Sequence, residues 1–175
     1  DHPDAARALS DTMKQAGTEV DVLVDLDVGM HRTGIALGDE AIALYELIDK
    51  LPGLRPGGLH SYDGHNHQES IEERQRAVAQ LLEPVLELRR KLEAKGLPVP
   101  RLIGGGRPTF PVWAKLDIPN LECSPGTCVL HDNGYGTKFA DMHFVPAALL
   151  LTRVVSKPSP TRLTLVLAFK AIARD

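Results

Sequence analysis

The sequence predicts an α/β fold, part of a parallel (β/α)8 barrel followed by part of an antiparallel β domain. Three observations carry this. Through residues 1–145, helical and strand patterns alternate, as parallel strands joined by helical crossovers require. Three or four such units fit in the chain, whereas a closed barrel needs eight and typically ~250 residues. From Pro146 the pattern changes to two long β-type runs, AALLLTRVVSKP and TRLTLVLAFKAIA, separated by Lys157-Pro158-Ser159-Pro160, a hairpin or meander signal. A small open α/β sheet is the alternative reading of the same alternation.

Pro3 to Ala16 reads as a helix with Ala6, Leu9 and Met13 on one face and Gly17 as its stop. Val20, Val22, Val24, Leu26 and Val28 then alternate with more polar neighbours, the period of a strand. Asp39 can cap a helix whose apolar face carries Ile42, Tyr45 and Ile48. GGLHSYDG reads as a short strand running into a polar loop. Ser70 and Glu73 make a capping-box pattern for the longest helix, with Val78, Leu81, Val85, Leu88 and Leu92 inward and Pro84 placed to bend it. RLIGGG is a strand ending in glycines, Val112 to Leu116 a weak helix, and LECSPGTCVL a further strand.

At 43% hydrophobic residues the chain can build a core, and a net charge of −3 without a basic stripe predicts no nucleic-acid partner. No apolar run approaches the roughly 20 residues of a membrane span. No secretory signal opens the sequence, and Cys123 and Cys128 lie too close together to staple a fold of this size; reduced thiols in a cytoplasmic protein are expected. The sequence opens on Asp1 and stops at Asp175 directly after an apolar run, so it is expected to be a piece of a longer protein. An incomplete barrel would expose strand edges, so pairing with another copy is expected.

In a parallel barrel, chemistry sits where strands end. Three strand ends carry unusual groups. Gly104-Gly105-Gly106-Arg107-Pro108-Thr109 can bring backbone N–H groups, a hydroxyl and a charge to one anion, or can be a flexible turn. Arg32, after Asp25-x-Asp27-x-Gly29, can donate to a ring nitrogen or a carboxylate, or simply neutralise Asp25 or Asp27. His60, His65 and His67, with Asp63 among them, can ligate zinc, although their spacing is no established metal motif, and Tyr62 can stack on an aromatic ligand. Cys123 and Cys128 make half a metal site and read as packing. Lys170, on the last β run, reads as packing or pairing rather than as a Schiff-base lysine.

VDLDVGMHRTGI, GLHSYDGHNH, GGGRPTF, ECSPGTCVLHDNGY and PAALLLTRVVSKP, in that order over nearly the whole chain, together resemble the D-threonine aldolase and D-serine dehydratase family. These are metal-activated, alanine-racemase-like fold-type III pyridoxal-phosphate enzymes. The resemblance implies a TIM-like barrel in residues 1–145, binding pyridoxal 5'-phosphate at its mouth, and the start of a C-terminal β domain in residues 146–175. It places Arg32 near the pyridine ring, Tyr62 against the cofactor, and Gly104, Gly105, Gly106 and Thr109 on the phosphate, with Ser124 to Thr127, Gly126 included, lining the same region. The family's Schiff-base lysine would lie upstream of this sequence, and its ligands for a divalent metal (Mn, Mg or Zn) downstream, so no catalytic or metal residue is assigned here.

The resemblance further implies a lyase of D-amino acid metabolism acting on a small D-3-hydroxy amino acid. Cleavage of D-threonine to glycine and acetaldehyde is the first expectation and elimination from D-serine the second. The 175-residue chain itself is expected to be inactive. Readings from other classes are a non-catalytic phosphate-binding fragment and a zinc hydrolase built on His60, His65 and His67. Val166 and Ala168 stand where the family has an acidic residue and a glycine.

Overall fold

The computed structural model describes residues 1–130 and 133–167. Five parallel strands form one sheet: β1 (Val20–Asp27), β2 (Ile35–Ala36), β3 (Leu54–Ser61), β4 (Leu102–Gly104) and β5 (Leu121–Cys123), in the order β2-β1-β3-β4-β5. Helix α1 (Pro3–Ala16) precedes β1, and α2 (Asp39–Lys50), α3 (Ile71–Ala94) and α4 (Phe110–Trp113) lie between successive strands. The α/β alternation of the sequence is therefore the architecture. It positions the site because parallel strands bring all their carboxyl ends to one edge of the sheet.

The side-chain rows follow from the strand period. Val24, Leu59 and Leu102 form one row across the sheet, and Leu26, Ser61 and Gly104 another; all six are buried. The intervening row, Asp25, His60 and Ile103, is only half-buried. Hydrophobic positions of the helices close over the first set: Ile42, Tyr45 and Ile48 of α2, and Val78, Val85, Leu88 and Leu92 of α3 are buried, while Leu81 is partly so. The Tyr45 hydroxyl donates to Pro98 O (2.7 Å), and Ser10 of α1 to Pro52 O (2.7 Å), so both buried polar groups are satisfied.

Several local expectations shift. Gly38, not Asp39, is the N-cap of α2, and Asp39 is its first helical residue, where a carboxylate suits the positive end of the helix. Ser70 accepts from the Glu73 amide as expected, but its own hydroxyl donates to Glu72. Helix α3 continues across Pro84 as one element. The short helix sits at Phe110–Trp113 rather than from Val112 to Leu116. Only Leu121–Cys123 of LECSPGTCVL is a strand; Thr127–Val129 is a 3₁₀ turn. A helix α5 (Asn133–Lys138) follows it.

The C-terminal hairpin is an antiparallel ribbon of β6 (Val154–Ser159) and β7 (Arg162–Leu165). Its turn lies at Pro160 and Thr161, and Pro158 sits inside β6 where the ladder is irregular between Ser156 and Ser159. A residue with no N–H is tolerated there. Lys170 and Ala168 lie outside the described residues.

The largest fully buried side chains include Trp113 and Arg74. Arg74 donates through both terminal nitrogens to the Asp141 carboxylate, and also to Pro108 O and Glu69 O. Its guanidinium stacks on the Phe139 ring at 5.0 Å. One arginine thus ties α3 to the loop after β4 and to the segment after α5.

Candidate functional site

The ends of β1, β3, β4 and β5 carry the predicted residues. After β1 the chain turns back sharply through His31 (φ 53°), and Gly34 comes against the backbone of Leu26 and Asp27. Asp27 braces this return: its Oδ1 accepts from the amides of Gly29 and His31 (3.0 Å each), and its Oδ2 meets His31 Nδ1 at 2.7 Å. These contacts, the His31 amide foremost, hold the Asp27 carboxyl at about 2, below its ordinary 3.8. A lowered folded-state value means the bracing is complete above about pH 4 and is lost as pH falls towards 2. Thermal unfolding of the native chain between roughly pH 5 and pH 2 should therefore fall more steeply than that of Asp27→Asn. Parallel pH profiles would remove the role assigned to Asp27.

On the half-buried face, His60 Nδ1 lies 2.6 Å from Asp25 Oδ1, and Asp25 Oδ2 accepts from the Thr33 hydroxyl (2.8 Å). A carboxylate on one ring nitrogen fixes the orientation of an imidazole and leaves the other nitrogen for a ligand. Beside this pair the Arg32 guanidinium stacks on the Tyr62 ring, 4.6 Å from its centroid. The structure thus brings together Arg32 and Tyr62, and Arg32 does not pair with Asp25 or Asp27.

The three histidines do not converge. His60 turns to Asp25, the His65 ring lies against Gly29, and His67 is exposed. Among the described residues, no three His, Cys, Asp or Glu side chains come together to hold a metal. The polar loop sends its three imidazoles in separate directions. His65 Nδ1 is buried with no hydrogen-bond partner among the described residues.

The glycine loop is a buried knot organised by Asp63, which the sequence offered only beside the histidines as a zinc ligand. Asp63 is fully buried; its Oδ1 accepts from the Gly106 amide and the Thr109 hydroxyl (2.6 Å), and its Oδ2 from Trp113 Nε1 (3.1 Å). The Gly106 amide also lies 3.0 Å from Thr109 Oγ1. A Cβ on Gly104 would come 2.4 Å from the Trp113 ring, and one on Gly106 3.0 Å from Gly64 Cα. The glycines therefore let loop, indole and neighbouring turn pack at backbone distance. The Gly106 N–H and the Thr109 hydroxyl, expected on an open phosphate, are engaged by Asp63 because a buried carboxylate requires donors.

Arg107 is also buried, 3.8 Å over the Tyr135 ring and donating to Thr127 Oγ1 at 2.5 Å. Ser124 is tethered to the loop through its amide on Gly104 O (3.3 Å), and Ser124 and Gly126 themselves stand exposed beside it. Cys123 and Cys128 are free thiols, and burial pushes the Cys123 thiol up from its ordinary value, as suits packing rather than reactivity.

The loop-bracing role of Asp63 and the Asp25–His60–Thr33 chain are the arrangements not read from sequence. The register of β1 against β3, which pairs Asp25 with His60, is the signal that could have found the second. For Asp63 the nearest signal was its place just past the strand end.

The sequence profile of the alanine racemase N-terminal domain matches residues 1–114. A D-threonine aldolase of Arthrobacter sp. is 30% identical over 95% of this chain and 45% of its own length. A 3-hydroxy-D-aspartate aldolase of Paracoccus denitrificans (strain Pd 1222) is 27% identical over 87% and 41%. The crystal structure of D-threonine aldolase from Filomicrobium marinum superposes with a TM-score of 0.90 at 28% identity, covering all of this chain and 48% of that one. Alanine racemase of Clostridium difficile 630 shares the fold at a TM-score of 0.64 and 18% identity, over 82% of this chain and 38% of that one. The chain spans about half the length of the curated relatives it matches.

Proposed function

Because the chain belongs to the alanine racemase N-terminal domain family, we propose that it forms the cofactor-facing part of a pyridoxal 5'-phosphate-dependent lyase acting on D-3-hydroxy amino acids. The observation that carries this is the convergence, at the carboxyl ends of adjoining parallel strands, of the Arg32–Tyr62 stack, the Asp25–His60 pair and a glycine loop packed at backbone distance. These residues fit a phosphorylated aromatic ligand: Arg32 holds a fixed charge, Tyr62 offers a ring face, and His60 has one nitrogen already engaged. Ser124 and Gly126, exposed beside the loop, are the groups we assign to the phosphoryl oxygens, with Gly104 to Gly106 and Thr109 forming the wall behind them.

Bound pyridoxal phosphate supplies an electron sink for bond cleavage at Cα of an amino acid. Here Arg32 sets the local charge and Asp25 keeps His60 oriented towards the ligand. The substrate class rests on the names of the two curated relatives: D-threonine cleaved to glycine and acetaldehyde is the first choice, and elimination from D-serine the alternative. The described residues do not fit a divalent metal centre. We also assign residues 146–175 to the start of a β domain, and expect a cytoplasmic enzyme that pairs with another copy and binds no nucleic acid or membrane. No described helix is long and apolar enough to cross a bilayer.

The test is to incubate the purified chain with pyridoxal phosphate, with and without borohydride, and to follow binding, adduct mass and D-threonine consumption. The expected outcome is saturable binding that inorganic phosphate displaces, no borohydride-stable adduct on a unique lysine, and no turnover. An adduct at one lysine with turnover would show a complete catalytic unit, and absence of any binding would refute the cofactor reading.

A further inference from the structure

Asp63 belongs to one loop and organises another. It follows β3, yet its three donors come from the loop and helix after β4: the Gly106 amide, the Thr109 hydroxyl and the Trp113 indole N–H. The Trp113 ring is in turn the surface against which Gly104 and Gly105 pack. Asp63, Thr109 and Trp113 are all fully buried. Burying a carboxyl group costs free energy unless donors are held ready for it. The loop therefore has one backbone conformation in which its inward N–H and hydroxyl meet Asp63 together.

We propose that Asp63 is a positioning residue for phosphate recognition. By engaging the inward donors of Gly106 and Thr109, it fixes the glycine loop as the wall from which the tethered Ser124 meets a phosphoryl group. The proposal rests on the cofactor reading above. It assigns the selectivity of Asp63 to the phosphoryl group, so pyridoxal without its phosphate should be indifferent to it.

An asparagine in place of Asp63 has a single acceptor oxygen. If that oxygen faces the loop, the amide nitrogen opposes Trp113 Nε1–H; if it faces Trp113, the nitrogen opposes the Gly106 N–H. Either way one buried donor is orphaned against an amide N–H, which pushes the side chain away from the loop, so in Asp63→Asn the affinity for pyridoxal phosphate and for inorganic phosphate should fall about tenfold or more. Pyridoxal affinity should be unchanged, all measured by calorimetry well below the variant's own Tm. Trp113→Phe removes the competing N–H. In the double variant Asp63→Asn/Trp113→Phe the asparagine oxygen can therefore serve the loop alone, and phosphate affinity should return to that of Trp113→Phe.

If Asp63→Asn melts earlier but binds both phosphate probes as the native chain does, Asp63 is a core staple and the proposal fails. It fails equally if pyridoxal and pyridoxal phosphate weaken together. A native chain that binds neither phosphate probe refutes the cofactor reading itself, and the proposal with it. Should Asp63→Asn prove unfolded, Thr109→Val carries the test. It keeps the shape but removes the hydroxyl that meets Asp63 and Gly106, and a several-fold loss confined to the phosphate probes is expected; no loss would overturn the proposal.

Discussion

Arg74→Met is expected to destabilise the chain by about 3 kcal/mol, near the lower end for breaking a buried ion pair. The arginine is fully buried, whereas Asp141 keeps 22% of its side chain accessible, so water screens part of the charge left behind. The loss has three sources: the bidentate pair with Asp141, the bonds to Pro108 O and Glu69 O, and the stack on Phe139. Chemical denaturation, read as a shift in midpoint at constant slope, measures it. Arg74→Met/Asp141→Leu should recover a large part, because the unpaired charge is then removed with its partner. A single variant as stable as the native chain would show that the clamp contributes nothing net.

Gly58→Ala is expected to cost about 3 kcal/mol or more, combining backbone strain with a clash that has no side-chain escape. Gly58 has φ +123°, and a Cβ there would lie 2.0 Å from the carbonyl oxygen of Arg101. It sits beside the irregularity where β1 and β3 shift register, with Val22 opposite Pro56 and Leu23 opposite Gly58. The extra residue bends β3 so that the Leu59 amide reaches Arg101 O. Gly96→Ala is the control: its φ is +77° but nothing lies within 4 Å of the added carbon, so about 1 kcal/mol is expected. Equal losses at the two positions would show that contact with Arg101 is unimportant.

Much of the fold was legible because the first hundred residues state their periods cleanly. Ile42, Tyr45 and Ile48, or Val78, Val85 and Leu92, mark helix faces that the structure buries. Where the reading slipped, burial was not periodic. LECSPGTCVL carries apolar residues at both ends, yet only three residues find a strand partner, in β4. Lys157-Pro158 looked like a turn and instead lies within β6, since a two-stranded ribbon leaves positions where an amide has nothing to bond.

For the site, strand ends were enough to single out Arg32 and Tyr62, which stack together. Asp63 was hidden because its partners lie 43, 46 and 50 residues away. No local pattern reports which distant loop a buried carboxylate will organise. The same contacts turn the Gly106 N–H and the Thr109 hydroxyl inward.

The Arg74–Asp141 pair spans 67 positions, about twice the separation of 34 between Val20 and its partner Leu54. Closing the longer loop costs more chain entropy, so the β1–β3 pairing can form while the clamp is still open. Contacts made after the folding barrier leave the rate of folding almost untouched and slow unfolding instead. A clamp that closes after that barrier would set how long the loop after β4 stays closed, a matter of native-state lifetime rather than of how quickly the sheet assembles.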